Sequence, residues 1–181
     1  MTDAGLPMPP RRADARFMRG DAAHWVALGF GSGLSPRAPG TVGTLWAWAA
    51  FLLLAHWLDD AGWAWVIGLA LLGGWWACTR TARHLGVADP GAIVWDEVVA
   101  FWIVLWLLTP APWWAQLAAF VLFRFFDAAK PGPVGWADRL FKAREGQPIG
   151  WAQGFGILFD DLVAAGCTLL VIALGIRLWN W

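Results

Sequence analysis

Residues 93–109 read IVWDEVVAFWIVLWLLT, an apolar stretch that two adjacent carboxylates, Asp96 and Glu97, interrupt near its start. A carboxylate at the edge of such an apolar helix costs free energy, so it usually serves a function. Acids also stand at one end of two further apolar runs, where the chain has Asp127, Asp160 and Asp161. The acids therefore mark the ends of three apolar segments and indicate an active site.

The composition is that of a membrane protein. Of the 181 residues, 59% are hydrophobic and 14% are charged, whereas a soluble domain has roughly 25% charged residues. The chain has 17 Trp and no Tyr, and Trp favours the membrane–water interface. The 13 basic and 13 acidic side chains balance, so the net charge gives no reason to expect a nucleic-acid partner.

Five long apolar segments predict a helical bundle in the membrane. They are residues 42–58, 62–78, about 93–109, 113–127 and 162–179. Most are shorter than the ~20 residues of a straight span, although flanking residues can lengthen them. A sixth stretch, residues 24–30, predicts a short N-terminal interfacial helix. We therefore expect an all-α membrane protein of about five apolar helices with this additional short helix, in one domain (22–181) after a disordered cytoplasmic tail (1–21).

Basic residues alternate between the connections and predict the orientation. They occur in the tail and after the second and fourth segments, as Arg11, Arg12, Arg16, Arg19, Arg80, Arg83, Lys130, Arg139, Lys142 and Arg144. The opposite connections, residues 59–61 and 110–112, contain no Lys or Arg. The positive-inside rule places the tail and the basic loops in the cytoplasm. The three acidic positions then lie together at the cytoplasmic level of the membrane.

A loop rich in Gly, Ser, Thr and Pro, residues 29–44, leads into the first segment. Successive backbone N–H groups before a helix N-terminus make an anion site. The predicted phosphate-binding residues of this loop are Ser32, Gly33, Ser35 and Thr41. The Gly-Lys-Ser/Thr ending of a Walker A loop is absent, and the alternative is a rigid re-entrant turn in which Thr41 or Thr44 caps the helix.

Several carboxylates at one level repel one another unless a cation lies among them. Oxygen ligands favour Mg²⁺, which takes one or two carboxylates together with water and phosphate. Zinc is not expected, because the histidines are scattered in the sequence without ligand spacing. Structural alternatives stay open for single acids: Asp160 as a helix N-cap, Asp127 in an ion pair with Arg124, and Asp96 as a hydrogen-bonding group inside the bundle.

Four blocks stand in the order and spacing of a known family. They are residues 29–43, residues 93–97, the set Arg124, Asp127, Lys130, Pro131, Pro133, Asp138 and Arg139, and residues 154–161. Over residues 24–175, the chain resembles the bacterial phosphatidylglycerophosphatase A family of membrane phosphatases. It departs from the family pattern in a long linker from Phe141 to Gln153, and in Gln153-Gly154 where Gly-Gly is more typical.

The resemblance implies an all-helical, Mg²⁺-dependent phosphatase of the bacterial inner membrane, with several spans and a site facing the cytoplasm. The implied substrate is phosphatidylglycerophosphate of the cytoplasmic leaflet, hydrolysed on the route to phosphatidylglycerol and cardiolipin. The expected metal ligands are Asp96, Glu97, Asp160 and Asp161. The expected catalytic residues are these four with Asp127 and Lys130, and Arg124 and Lys130 are expected to bind phosphate with the loop.

Three questions stay open on the sequence. The nucleophile is either water on the metal or a carboxylate such as Asp127. The substrate could instead be another phospholipid or an isoprenoid phosphate, because the residues themselves do not distinguish these. Outside the enzymes, the alternatives are a small transporter or channel that uses the acids as an ion path, and a non-enzymatic scaffold. No oligomeric state is predicted.

Overall fold

The computed structural model describes residues 11–142 and 148–179, and all regular structure in these ranges is helical. A 3-10 helix, Gly29–Leu34, lies between the second and third α-helices. The α-helices are α1 (Ala15–Arg19), α2 (Ala22–Ala27), α3 (Pro39–Leu54), α4 (Asp60–Leu85), α5 (Trp95–Leu108), α6 (Trp113–Ala129), α7 (Pro133–Leu140) and α8 (Trp151–Trp179). The predicted all-α class is confirmed, with the five apolar segments in α3, α4, α5, α6 and α8.

Helix α5 lies at the centre of the bundle and contacts α3, α4, α6 and α8. Its side chains are buried along nearly the whole length, with Phe101 and Leu105 fully enclosed. Indole N–H groups tie it to its neighbours, because Trp95 donates to the Ala70 carbonyl of α4 and Trp102 to the Ala47 carbonyl of α3. These tryptophans therefore join helices inside the bundle, a role that the interface preference of Trp does not predict.

The outside of the bundle is apolar. Trp65 is 74% exposed, Leu72 66% and Leu170 60%, which is unusual for a protein surrounded by water. By length and composition alone, two helices are suited to crossing a membrane, namely Asp60–Leu85 and Trp151–Leu178. The fold is therefore that of a helical membrane protein.

Helix α8 begins at Trp151, well before the predicted start at residue 162. Gly154 and Gly156 resemble loop residues in the sequence, but here they allow close packing. A Cβ atom on Gly154 would lie 1.7 Å from Thr79 Oγ1, and one on Gly156 would lie 2.4 Å from Phe141 Cβ. Asp160 is consequently inside the helix, so the alternative that it is an N-cap is wrong.

The N-terminal region is more ordered than the sequence suggests. Residues 15–19 form α1, which Asp14 caps by accepting a hydrogen bond from the Phe17 N–H at 2.7 Å. This helix differs from the disorder predicted for 1–21, of which residues 1–10 lie outside the described ranges. Helix α2 confirms the short N-terminal helix, and it packs against α4. Part of the long linker, residues 143–147, also lies outside the described ranges.

Candidate active site

Three predicted metal ligands meet between α5 and α8. Asp96 and Glu97 are in the first turn of α5, and Asp161 is inside α8. One carboxylate oxygen from each lies within 4.8 Å of the others. We call these three residues the acid cluster. Two helices distant in sequence therefore bring three carboxylates to one point, as the sequence predicts.

Each residue of the acid cluster has one buried carboxylate oxygen without a partner among the described residues. Asp96 Oδ1, Glu97 Oε2 and Asp161 Oδ2 are all inaccessible and have no hydrogen-bond partner within the described part of the chain. Buried polar atoms are nearly always hydrogen-bonded, so three unpaired oxygens on neighbouring carboxylates require an explanation. Oxygen donors at this spacing fit a hard divalent cation such as Mg²⁺.

Asp160 has a different partner from its neighbour Asp161. Residues adjacent in a helix point about 100° apart, and the Oδ2 atom of Asp160 lies 2.6 Å from Lys130 Nζ. The structure therefore groups three of the four predicted ligands and places the fourth in an ion pair. A ligand role for Asp160 stays a prediction.

Arg124 stands beside the acid cluster. Its Nη1 atom pairs with Asp127, lies 3.5 Å from Glu97 Oε1, and donates to Thr44 Oγ1 at 3.4 Å. Its Nε donor is buried without a partner among the described residues. The ion pair between Arg124 and Asp127 that the sequence left open is present, and it borders the site. The unpaired donor suits an anion such as phosphate.

Lys130 belongs to a chain of alternating charges, the lysine–aspartate chain. Its ammonium lies 2.5 Å from Asp138 Oδ1 and 2.6 Å from Asp160 Oδ2. Lys142 Nζ lies 2.5 Å from the other Asp138 oxygen. Lys130 adopts a left-handed backbone conformation (φ 46°) that ends α6 and turns the chain toward α7. This conformation is uncommon outside glycine.

The opposite charges in the lysine–aspartate chain stabilise one another's ionised forms. Burial alone would lower the pKa of Lys130, but its hydrogen bonds to Asp138 and Asp160 prevail and raise that pKa above its ordinary value. Burial likewise opposes ionisation of Asp138, but hydrogen bonds from Lys130 and Lys142 prevail and lower the pKa of Asp138. Lys130 is therefore held as an ammonium beside the site.

The glycine-rich loop reaches the acid cluster at Gly40. A Cβ atom there would lie 2.1 Å from Glu97 Oε1 and 3.0 Å from Arg124 Nη2. Thr44, one turn further along α3, donates to the Gly40 carbonyl at 2.8 Å. Ala38, not Thr41 or Thr44, occupies the N-cap position of α3, and no side chain caps it. The capping alternative is therefore wrong.

The predicted phosphate-binding serines have partners within their own loop. Ser32 donates to the Gly29 carbonyl and Ser35 to the Arg37 carbonyl, each at 2.8 Å. Gly33 is packed so closely that a Cβ atom would lie 2.1 Å from the Ala92 carbonyl oxygen. Thr41 is partly exposed at the start of α3. Phosphate binding by these four residues stays a prediction.

Sequence reasoning missed several residues here. Gly40 resembled one loop glycine among many, and Asp138 was only part of a motif. The histidines are also not all scattered, because His24 Nε2 and His84 Nδ1 lie 2.8 Å apart. They are sixty residues apart in sequence, so no local spacing could have shown the contact.

Comparisons with known proteins agree with the site. The sequence model described as Phosphatidylglycerophosphatase A matches residues 25–176. A protein of that name from Escherichia coli is 39% identical over 159 residues, 88% of this chain and 86% of the relative. One from Haemophilus influenzae is 38% identical over 156 residues, 86% of this chain and 89% of the relative. No solved structure matches the chain.

A third relative carries a different name. It comes from Bacteroides thetaiotaomicron, is 35% identical over 155 residues, and covers 82% of this chain and 89% of its own length. Its name refers to phosphatidylinositol-3-phosphatase activity. All three names describe the removal of phosphate from a phospholipid.

The fold, the site and these matches together define an all-helical hydrolase of phosphoric monoesters. The enzyme class predicted from the sequence is confirmed, and the transporter and scaffold alternatives are set aside. More particularly, the chain belongs to the phosphatidylglycerophosphatase A family, whose model covers most of its length.

Proposed function

We propose that this enzyme hydrolyses phosphatidylglycerophosphate to phosphatidylglycerol and phosphate with Mg²⁺ as cofactor, on the route to cardiolipin. The observation that carries the proposal is the acid cluster, in which three carboxylates approach one another within 4.8 Å and each has one buried oxygen without a partner in the described part of the chain. Like charges this close repel one another, and a bound cation would relieve that repulsion. The names of two relatives supply the substrate.

The acid cluster would hold the ion, because Asp96, Glu97 and Asp161 supply oxygen donors only. Mg²⁺ characteristically binds through one or two carboxylates together with substrate phosphate oxygens. When bound, it supplies a positive charge that offsets the charge of the phosphate and favours attack at phosphorus.

Residues of the chain complete the binding of the phosphate. The Nε–H group of Arg124 is a buried donor that a phosphoryl oxygen would satisfy. Gly40 allows the start of α3 to approach Glu97 and Arg124 closely, because a Cβ atom there would overlap with Glu97 Oε1. Lys130 adds a fixed ammonium at the edge of the site. Asp127, which holds Arg124, is the carboxylate available to attack phosphorus or to accept a proton from water.

We further propose that the enzyme spans the bacterial inner membrane several times with its site toward the cytoplasm. The apolar exterior of the bundle and the two helices of spanning length support a membrane location. The basic connections support the orientation, since Lys and Arg concentrate in cytoplasmic loops. Substrate would then enter from the cytoplasmic leaflet, with its acyl chains remaining in lipid.

A second candidate substrate is phosphatidylinositol 3-phosphate, because the name of one relative refers to it. The test is phosphate release by purified protein in detergent from phosphatidylglycerophosphate, phosphatidate and phosphatidylinositol 3-phosphate, each with Mg²⁺ and then with EDTA. We expect Mg²⁺-dependent release with the highest kcat/KM on phosphatidylglycerophosphate. Release that EDTA leaves unchanged would refute the cofactor, and preference for another lipid would refute the substrate.

A further inference from the structure

A second group of metal-ligand side chains lies where α2 packs against α4. It contains Asp21, the N-cap of α2, His24 within α2, and His84 near the end of α4. One ligand atom from each of the three residues lies within 4.8 Å of the others. We call these three residues the histidine cluster. None of them belongs to the acid cluster or to the lysine–aspartate chain.

The ring of His24 is oriented by its Nδ1 atom, which lies 2.7 Å from the Phe17 carbonyl oxygen. Because a carbonyl oxygen only accepts hydrogen bonds, Nδ1 carries the hydrogen, and in the neutral ring Nε2 has a lone pair. His24 is 4% exposed, and its ring stacks on that of Phe17 with the centroids 3.9 Å apart. His24 therefore presents a buried nitrogen lone pair in a fixed direction.

This lone pair meets a nitrogen of the second histidine, because His24 Nε2 lies 2.8 Å from His84 Nδ1. Two lone pairs at this distance would repel each other, so the contact contains either a hydrogen on His84 Nδ1 or a metal ion bound to both nitrogens. A Zn²⁺ ion binds each imidazole nitrogen at about 2.0–2.1 Å. Two nitrogens about 3 Å apart can therefore occupy adjacent positions around one ion.

Asp21 adds a carboxylate to the two imidazoles, and a hydrogen-bonded histidine pair alone would not need it. Its Oδ1 accepts from the Ala23 N–H at 3.0 Å, and its Oδ2 from Arg80 Nε at 2.7 Å. Each carboxylate oxygen keeps a further lone pair. Metal-binding histidines usually donate their other N–H to a carbonyl or carboxylate, and metal-binding carboxylates are themselves hydrogen-bonded. His24 and Asp21 both have this support.

We propose that the histidine cluster binds one Zn²⁺ ion through His24 Nε2, His84 Nδ1 and a carboxylate oxygen of Asp21. Imidazole nitrogen suits Zn²⁺, whereas Mg²⁺ takes oxygen ligands. On binding, the hydrogen of the neutral His84 ring moves from Nδ1 to Nε2. The ion would fasten α2 to α4, and α2 leads directly into the 3-10 helix Gly29–Leu34 of the glycine-rich loop. Its role is therefore structural.

The first test measures Zn²⁺ binding by the purified enzyme in detergent, made without a polyhistidine tag. Excess Mg²⁺ is present to compete for the oxygen ligands of the acid cluster. The decisive variant is His84→Asn, because the Asn amide keeps an N–H donor for His24 but is not a usual Zn²⁺ ligand. We expect the wild type to bind one Zn²⁺ with an affinity on the order of 100-fold higher than His84→Asn, since even the loss of a supporting residue costs 10- to 100-fold.

His56→Asn is the matched control, because His56 is exposed and lies outside the histidine cluster. It should bind Zn²⁺ as the wild type does. Equal affinity of the wild type and folded His84→Asn would overturn the inference, and the two histidines would then be joined by a hydrogen bond only.

The second test needs no substitution, so it decides the question even where His84→Asn does not fold. It is the zinc X-ray absorption spectrum of the wild-type enzyme with one equivalent of Zn²⁺ in excess Mg²⁺. We expect the scattering pattern of two imidazole rings around the ion. A coordination shell of oxygen atoms alone would place the Zn²⁺ elsewhere and would overturn the inference.

Discussion

The acid cluster and the lysine–aspartate chain use the same kind of side chain in opposite ways. In the lysine–aspartate chain each carboxylate has a lysine within 2.6 Å. In the acid cluster three carboxylate oxygens are buried without a partner in the described part of the chain. Adjacent residues of α8, Asp160 and Asp161, belong to the two different groups. The lysines hold their carboxylates in place, whereas the unpaired oxygens of the acid cluster are available to a ligand.

The difference implies opposite relations between stability and activity. Removing a charge from the acid cluster relieves repulsion, so it should favour folding while it removes function. Removing a charge from the lysine–aspartate chain leaves a partner unpaired, so it should disfavour folding. Four predictions test this contrast, from the largest expected effect to the smallest.

The largest effect is expected for Asp161→Asn and Asp96→Asn. Each removes a proposed Mg²⁺ ligand, and turnover of phosphatidylglycerophosphate should fall on the order of 10³-fold, as for other losses of transition-state charge stabilisation. The melting temperature in detergent with EDTA should stay level or rise by about 2–4 °C, because like charges are fewer. Full activity in either variant would remove that residue from the site.

The second effect concerns the close approach of Gly40 to Glu97 and Arg124. In Gly40→Ala the new Cβ atom would lie 2.1 Å from Glu97 Oε1, so Glu97 or Arg124 must move. We expect kcat/KM to fall about 100-fold, the scale of a displacement of roughly 1 Å in an active site. Gly68→Ala is the matched control, because a Cβ atom there has nothing within 4 Å. Equal activity of the two variants would contradict the close approach.

Much of the bundle could be predicted because long apolar runs decide where helices form. The sequence also indicated that acids stand at the start of α5 and at the end of α6, as Asp96, Glu97 and Asp127. The start of α8 was missed, because Gly154 permits packing against Thr79, and this contact joins residues far apart in sequence. For the same reason no local pattern showed that Asp160 pairs with Lys130 while Asp161 does not.

The third effect separates two lysines that share Asp138. Lys130 holds two carboxylates and its side chain is 31% exposed, whereas Lys142 holds one and is 59% exposed. We expect Lys130→Ala to reduce kcat about 10- to 100-fold and to lower the melting temperature. Lys142→Ala should cost at most about threefold in activity, since exposed ion pairs contribute little. Equal effects of the two substitutions on the melting temperature would show that Lys130 does not hold the lysine–aspartate chain together.

The smallest effect is the pH dependence of stability. The pKa of Asp138 is lowered in the folded protein, so its contribution is present above the ordinary Asp pKa and is lost as the pH falls through the folded value. The pKa of Lys130 is raised, so its contribution is present below the ordinary Lys pKa and is lost only as the pH rises through the folded value. The contribution of the pair is therefore constant around neutral pH. Between pH 5 and about pH 3, the melting temperature of Asp138→Asn should therefore fall less steeply than that of the wild type. If the melting temperatures of the two proteins fall in parallel over this range, Asp138 contributes nothing to stability at acid pH.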